Sequence, residues 1–357
     1  MKKFFFAAIA AGIALTACVT NEEEVSVGTD AKISFEAPLV QNATRVTGEI
    51  GTFYDKNESF VVNAKFYQST FTSWAAGENY ITNETVSYNL GLNAWVPALD
   101  YYWPKDGLLT FMAYSPADHT TWKPQITGTP ETLKADAVTI SNGNRDMLYS
   151  ELRKNRNTAD TPGKNEYNGV DILFHHALSS IKFKVCLVAD LGANTTITLK
   201  AIQLQHVHQN GNFSWDLNVD NAPEWTNTNT NKEYVITPVT GANQVLTTTP
   251  ADVANAQPCI MMPQTLAHGG TDGNVIALIT YTITNKDAAG NVLSEIEQNR
   301  TVDLSTLDYG TDQGVEWLPG KRYIYTVNAG LNRITFAPVV EDWKDQEVDY
   351  ESTGGGK

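Results

Sequence analysis

The cysteine at position 18 has the surroundings that most clearly specify a chemistry. Lys2 and Lys3 open the chain, an uncharged and almost wholly apolar run follows from Phe4 to Leu15, and Thr16-Ala17 leads into Cys18. A basic start, an apolar stretch of about twelve residues and small residues before a cysteine occur in the order of a lipoprotein signal peptide. The expected chemistry is attachment of a diacylglycerol to the Cys18 thiol, with cleavage just before it and loss of residues 1–17. The apolar run is too short to cross a bilayer as a helix. Attached acyl chains contribute about 0.8 kcal/mol per buried methylene, so the expectation is a protein anchored to a membrane by lipid alone. The plainer alternative is an ordinary signal peptide that happens to hold a cysteine. Val19-Thr20-Asn21-Glu22-Glu23-Glu24 then reads as a solvated acidic tether. In some surface lipoproteins a similar patch marks export to the outer leaflet.

Other chemistry-bearing residues are sparse. Cys186 and Cys259 stand in apolar, strand-like contexts, and a disulfide or two buried thiols fit them equally well. His206 and His208 are two apart, which on a strand puts both on one face and permits a metal, but no third ligand accompanies them. His176 adjoins an apolar strand start and reads as a hydrogen-bonded core histidine. The chain has no Gly-x-Ser-x-Gly, no His-Glu-x-x-His, no phosphate loop and no dinucleotide fingerprint. No acids are paired as a glycosidase would pair them. The expectation is a protein that is not an enzyme and needs no cofactor and no metal.

The elements that must position these residues are strands. Ile181, Phe183 and Val185 alternate with polar neighbours, as do Val275, Ala277, Ile279, Tyr281 and Ile283, and later Tyr323, Tyr325 and Val327. Period two throws one set of side chains into a core. Between the runs lie Asn142-Gly143-Asn144, Thr161-Pro162-Gly163, Asn210-Gly211-Asn212 and Ala289-Gly290-Asn291, all turn chemistry. One short piece, Leu148 to Asn155, has a helix-compatible composition. At 42% hydrophobic and 10% aromatic residues the chain can bury a real core. The net charge is −15, and −17 once Lys2 and Lys3 are removed, which excludes nucleic acid as a partner. The fold expected is all-β, a β-sandwich or barrel, with a domain boundary near Gly169 after the irregular stretch from Asn142 to Tyr167 and room for two sandwich-like halves of similar size.

The segment Tyr101-Tyr102-Trp103-Pro104-Lys105-Asp106-Gly107-Leu108-Leu109-Thr110-Phe111-Met112-Ala113-Tyr114-Ser115-Pro116 resembles a landmark stretch of the fimbrillin family, the type V pilins of Gram-negative bacteria. Leu173-Phe174-His175-His176-Ala177-Leu178-Ser179-Ser180-Ile181-Lys182-Phe183 is similar to another. So are Met262-Pro263-Gln264, Trp317-Leu318-Pro319-Gly320-Lys321-Arg322-Tyr323-Ile324-Tyr325, and the ending from Ile334-Thr335-Phe336 to Glu341-Asp342-Trp343. They occur in the family's order from about Thr44 to Trp343. Each also has a structural reading: Trp103 and Tyr114 as core aromatics, Pro104 and Pro116 as brackets around a strand.

The resemblance implies two tandem transthyretin-like β-sandwich domains, at 46–169 and 170–345, behind a signal peptide at 1–17 and a tether with a removable N-terminal strand at 18–45 and ahead of a flexible tail at 346–357, and it implies a role in assembly. Such pilins reach the outer membrane as lipoproteins, lose an N-terminal strand to a protease that cuts after arginine, and accept a neighbour's strand in the groove left open. Here the cut falls between Arg45 and Val46. The removable strand carries Ile33, Phe35, Ala37 and Leu39 at alternating positions. Arg45 as one more surface charge, with the lipid retained, is the competing reading. Leu331, Ile334, Phe336, Val339 and Trp343 mark a donor strand, or equally an ordinary last strand. The partners implied are other pilin subunits, with the outer membrane held through the N-terminal lipid, on fimbriae at the cell surface serving adhesion to an unspecified ligand. Shaft, tip and anchor subunits are not separated by these residues. The rival function is a carbohydrate-binding surface lipoprotein, with Trp74, Trp95, Trp122, Trp215 and Trp225 as stacking platforms.

Overall fold

The computed structural model describes residues 27–36, 38–41, 52–140, 145–157, 169–219, 222–228, 236–239, 242–254, 256, 259–268, 273–310, 315–331 and 333–343. Among them the regular elements are strands and one 3-10 turn at Leu304–Thr306. The chain is all-β.

The first half is built on a nine-stranded sheet. Its order is β3 (Thr52–Phe53), β2 (Leu39–Gln41), β13 (Leu173–His176), β11 (Leu148–Ser150), β8 (Leu108–Ser115), β4 (Ser59–Tyr67), β5 (Glu78–Asn89) and β6 (Ala94–Pro97), with β12 (Arg153–Arg156) also pairing β8. A small pair, β1 (Val27–Lys32) and β7 (Tyr102–Pro104), lies beside it. β8 is buried on both faces: Leu109, Phe111 and Ala113 enter one core, Met112 and Tyr114 another. That second core is covered by a four-stranded sheet in the order β17 (Glu224–Asn227), β16 (Asn210–Asp216), β10 (Thr132–Thr139), β9 (Gln125–Thr127).

The second half is a β-sandwich. One sheet runs β20 (Ala251–Asp252), β14 (Ser179–Leu187), β26 (Lys321–Ala329), β27 (Ile334–Asp342), with β21 (Cys259–Met261) also on β14. The other runs β18 (Ile236–Val239), β15 (Thr195–Gln205), β23 (Ile276–Lys286), β24 (Val292–Asp303), with β19 (Gln244–Val245) on β15. A short pair, β22 (Gln264–Thr265) and β25 (Glu316–Trp317), closes one end. The alternating residues expected to face inward do so: Ile181, Phe183, Val185, Ala277, Ile279, Tyr281, Tyr323, Tyr325 and Val327 share one core.

The two halves are interlocked. β13 lies past Gly169 in sequence yet pairs with β11 and β2 of the first half. The β16–β17 hairpin pairs with β10, although some 70 residues separate them. The core beneath it mixes Tyr114, Trp122 and Leu133 with Phe213, Met262 and Trp343. The stretch Leu148 to Asn155 forms strand pieces rather than a helix: Leu148 and Tyr149 are inserted between β8 and β13, where ladder partners on both sides override local propensity.

Trp317 anchors a phenol cluster in the second half. Its Nε1 donates to the Tyr325 hydroxyl at 2.8 Å, which lies 2.9 Å from that of Tyr309. Burial pushes the phenol of Tyr323 up to about 12 and that of Tyr325 well above 10. The unfolded chain releases these protons nearer pH 10, so above that pH it binds fewer protons than the native state and is favoured. Stability is therefore full below pH 10 and falls as pH rises beyond it. Tyrosinate absorbance should lag for these phenols until the fold is lost; titration of every tyrosine near pH 10 with native circular dichroism retained would refute this.

Candidate functional site

The segment upstream of Arg45 is an integral part of the first half. Ile33, Phe35 and Val40 are 2%, 1% and 3% exposed. The Phe35 backbone bridges antiparallel to Trp95 and parallel to Val170, and so ties β6, at one end of the nine-stranded sheet, to the chain entering β13. Phe35 N donates to Trp95 O at 3.0 Å and Glu36 N to Val170 O at 3.0 Å, while Val170 N donates to Ser34 O at 2.8 Å. Further along, Leu39 N donates to Ile172 O and Tyr54 N to Pro38 O. The Phe35 ring meets Phe60 and Phe111 edge-on, at 5.6 and 6.0 Å, and Trp95, Trp103 and Phe174 complete the surrounding core.

The walls of this groove fit the segment closely. Gly169 has φ +136°, and a Cβ there would lie 2.3 Å from the Phe35 carbonyl carbon. Only glycine lets the backbone come this near. At the rim, Arg153 and Arg156 both pair with Asp171. Burial lowers the Arg153 pKa, with the Arg156 charge acting the same way; the Glu151 and Glu36 carboxylates oppose both.

The expected alternation holds at Ile33 and Phe35 and then slips. Pro38 and Val40 are buried and Leu39 is half-buried, so Leu39 is not the inward position that strict period two assigns it. An additional residue between two inward positions shifts the phase of everything after it. Ala37, the Arg45–Val46 bond and Cys18 lie outside the described residues. Gly169, Tyr54, Val170 and Ile172, which help form the groove, were not anticipated as site residues, and Trp95 was anticipated only as a stacking platform. The sequence signal for them was thin, although a glycine directly before an apolar run was one.

The other candidate element, β27, ends its sheet. It pairs antiparallel with β26 from Lys321↔Asp342 to Ala329↔Ile334 and has no partner on its other edge among the described residues. Ile334, Phe336 and Val340 pack onto the core beneath, with Phe336 edge-on to Tyr325 at 6.1 Å. Val339 and Leu331 are 54% and 46% exposed. Trp343, just past the strand, is buried and stacks on His176 with ring centroids 3.9 Å apart, and Asp146 Oδ2 lies 2.5 Å from His176 Nδ1. His176 is thus a buried, carboxylate-bonded histidine.

The remaining candidates resolve as structure. His206 has φ 61°, which breaks the alternation after β15; its Nδ1 lies 2.9 Å from Asn274 O, while His208 stacks on His268 at 3.9 Å. The two do not share a strand face. No group of three metal-ligating side chains occurs among the described residues. Cys186 and Cys259 are both buried and free. Trp74, Trp95, Trp122 and Trp215 are buried rather than displayed. Trp225 is half-buried against the shared core and donates to Ala177 O at 2.7 Å. The platform expected of a carbohydrate binder is not formed by these five rings.

A family model described as fimbrillin-like matches residues 44–343. The chain belongs to the fimbrillin-like family. Among solved structures, this fimbrillin-like chain is similar to a fimbrial protein from Bacteroides vulgatus, with 16% identity over 88% of this chain and 99% of that one and a TM-score of 0.51. A fimbrilin from Porphyromonas gingivalis matches at 12% identity over 89% of this chain and 98% of that one, TM-score 0.37. The tip fimbrial protein of the same organism matches at 11% identity, covering 86% and 99%, TM-score 0.34. No curated protein matches the chain.

Proposed function

We propose that this fimbrillin-like chain is a subunit of cell-surface fimbriae, delivered to the outer membrane as a lipoprotein on Cys18 and assembled by strand exchange after cleavage between Arg45 and Val46. The observation that carries this reading is the segment from Ile33 to Gln41. It lies upstream of the cleavage position, completes the seam between β6 and β13, and fills an aromatic pocket with Phe35. Its removal would leave unpaired backbone donors and acceptors along an apolar groove, the substrate for strand addition. β27, already at a sheet edge, is the element placed to be given. The work done is non-covalent assembly in the service of adhesion, and no cofactor takes part. We place the division between the halves at Ala177-Leu178, between β13 and β14, with the β16–β17 hairpin reaching back across it.

The test is the intact mass and N-terminal sequence of the protein from native cells. The expected result is a start at Val46 without lipid, in material that runs as a high-mass ladder until boiled. Monomer alone, starting at an acylated Cys18, would overturn the polymerising reading.

A further inference from the structure

The short strand β13 makes two contacts that the fold keeps on different sides of it. Along one edge Leu173, Phe174 and His175 pair with Leu39, Val40 and Gln41 of the segment upstream of Arg45. At its end the His176 ring, its side chain 1% exposed, lies flat against Trp343, the residue that follows β27. The ring centroids are 3.9 Å apart and the planes 10° from parallel. Asp146, just before β11, fixes the imidazole from its edge, with Oδ2 2.5 Å from Nδ1. The backbone repeats the connection. Ala177 N donates to Met147 O at 2.8 Å, Gly320 N to Leu178 O at 2.8 Å and Trp343 N to Gly320 O at 2.9 Å.

The approach to this strand is held far less securely than the strand itself. Phe174, His175 and His176 pair with Ser150, Tyr149 and Leu148 of β11, so they keep a ladder whatever stands on their other side. Residues 170–173 have no second ladder among the described residues. Val170 N donates to Ser34 O, while Val170 O accepts from Glu36 N and Ile172 O from Leu39 N. The remaining ties are the ion pairs of Asp171 with Arg153 and Arg156. Emptying the groove therefore strips the backbone partners from a stretch in which Val170 and Ile172 are each 2% exposed, and it turns β13 from an interior strand into an edge. A stretch with few partners opens locally without unfolding the rest, and this one leads straight into His176.

Resting on the fimbrial reading above, we infer that His176, Asp146 and Trp343 form a clasp governed by the groove. With the N-terminal segment in place the clasp is closed and fastens the end of β27 to the first half; with the segment gone it loosens. The contact is autoinhibitory. β27 has a ladder on one side only, from Lys321↔Asp342 to Ala329↔Ile334, so the grip on Trp343 is what secures its C-terminal end. A chain that still holds its N-terminal segment keeps its last strand fastened, and loss of that segment prepares an element on the other side of the boundary between the halves. His176 and Trp343 act here as positioning residues. The coupling is a difference in free energy and is therefore reciprocal: what loosens Trp343 loosens the N-terminal segment by the same factor.

Native-state hydrogen exchange of the uncleaved full chain, read at single amides, tests this without assembly. Phe35→Ala removes the anchor of the segment without cutting the chain. It should speed exchange at the Trp343 amide about tenfold, within the usual range of coupling between sites, and leave the Val327 amide in β26 unchanged. Phe66→Ala, which opens a cavity in the same core but on β4, should move neither amide. In the reverse direction, Trp343→Leu should speed exchange at the Phe35 amide by the same factor of about ten. Trp343→Phe, which keeps a ring for His176 to lie on, should restore most of the protection. A rise at Trp343 and Val327 alike, or an equal rise with Phe66→Ala, would mean general loss of stability and would overturn the inference. So would a Trp343→Leu chain whose Phe35 amide exchanges as in the wild type. These rates are read on monomer, so they are independent of the polymer test above. Polymer there without coupling here would sink the clasp and leave the fimbrial reading standing; coupling here without polymer there would support the clasp and sink the fimbrial reading.

Discussion

Truncating Phe35 to alanine in the full-length chain will destabilise the first half by about 3–5 kcal/mol, the usual loss for a fully buried phenylalanine. The ring is 1% exposed and sits edge-on between Phe60 and Phe111. Those two rings belong to β4 and β8 and cannot collapse inward without disturbing the ladder between them, which runs from Val61↔Tyr114 to Tyr67↔Leu108. The cavity should therefore persist and the cost should lie in the upper part of the range. Denaturant unfolding followed by tryptophan fluorescence is the appropriate measurement, because Trp95 and Trp103 lie in the same core. Val339→Ala, at an exposed site, serves as the control and should change stability by less than about 0.5 kcal/mol. If Phe35→Ala behaves like that control, the segment is not docked in solution and the strand-exchange reading loses its foundation.

The second large effect is expected at Gly169. Valine there would need a left-handed backbone at φ +136° and would place its Cβ 2.3 Å from the Phe35 carbonyl carbon, 2.5 Å from Glu36 N and 2.6 Å from Phe35 Cα. Those contacts are backbone and cannot swing aside. Backbone strain of about 1–3 kcal/mol is joined by an overpacking penalty of about 1–3 kcal/mol. Gly192 provides the comparison: its φ is +76°, and an added Cβ would meet nothing within 4 Å. Gly192→Val should therefore cost only its backbone strain, and the difference between the two variants measures the contact with the N-terminal segment. The readout that separates docking from general instability is the rate of proteolysis at Arg45 under native conditions. Gly169→Val should raise that rate strongly and Gly192→Val should not. Equal rates would mean that Gly169 does not hold the segment.

The second half was the more legible in sequence, and the reason is geometric. Ile181, Phe183, Val185 and the run from Ala277 to Tyr281 sit in long strands with one buried face, so period two was written plainly. The first half hides its pattern because β4 and β8 are buried on both faces. A strand of that kind reads as a continuous apolar run and gives no phase. Leu148 to Asn155 offered local composition without its partners, and its strands exist only because β8 and β13 flank them. At the site, Ile33 and Phe35 were readable from alternation, whereas Leu39 was misassigned because the added residue before Pro38 has no signature of its own. The five tryptophans stood in polar stretches of sequence, yet four are buried: Trp95 and Trp215 sit on strands, where a polar neighbour points the other way, and Trp74 and Trp122 lie in a turn and a connecting segment that fold their rings into the shared core. The return of β16–β17 to β10 was out of reach of local pattern, being a pairing across a long intervening stretch.

The core shared by the two halves has a mechanical consequence. In a filament assembled as proposed, tension would enter at the groove beside Phe35 and leave through β27. Between those points the load crosses Tyr114, Trp122, Phe213, Met262 and Trp343, which interdigitate instead of hanging on a linker. An apolar interface of this kind suppresses the hinge motion expected of loosely joined domains. Each subunit should act as a stiff rod under load, and the compliance of the filament should reside at the joints between rods. There an exchanged strand would be held along its length by backbone hydrogen bonds lying across the direction of pull, to be loaded together in shear rather than opened one at a time.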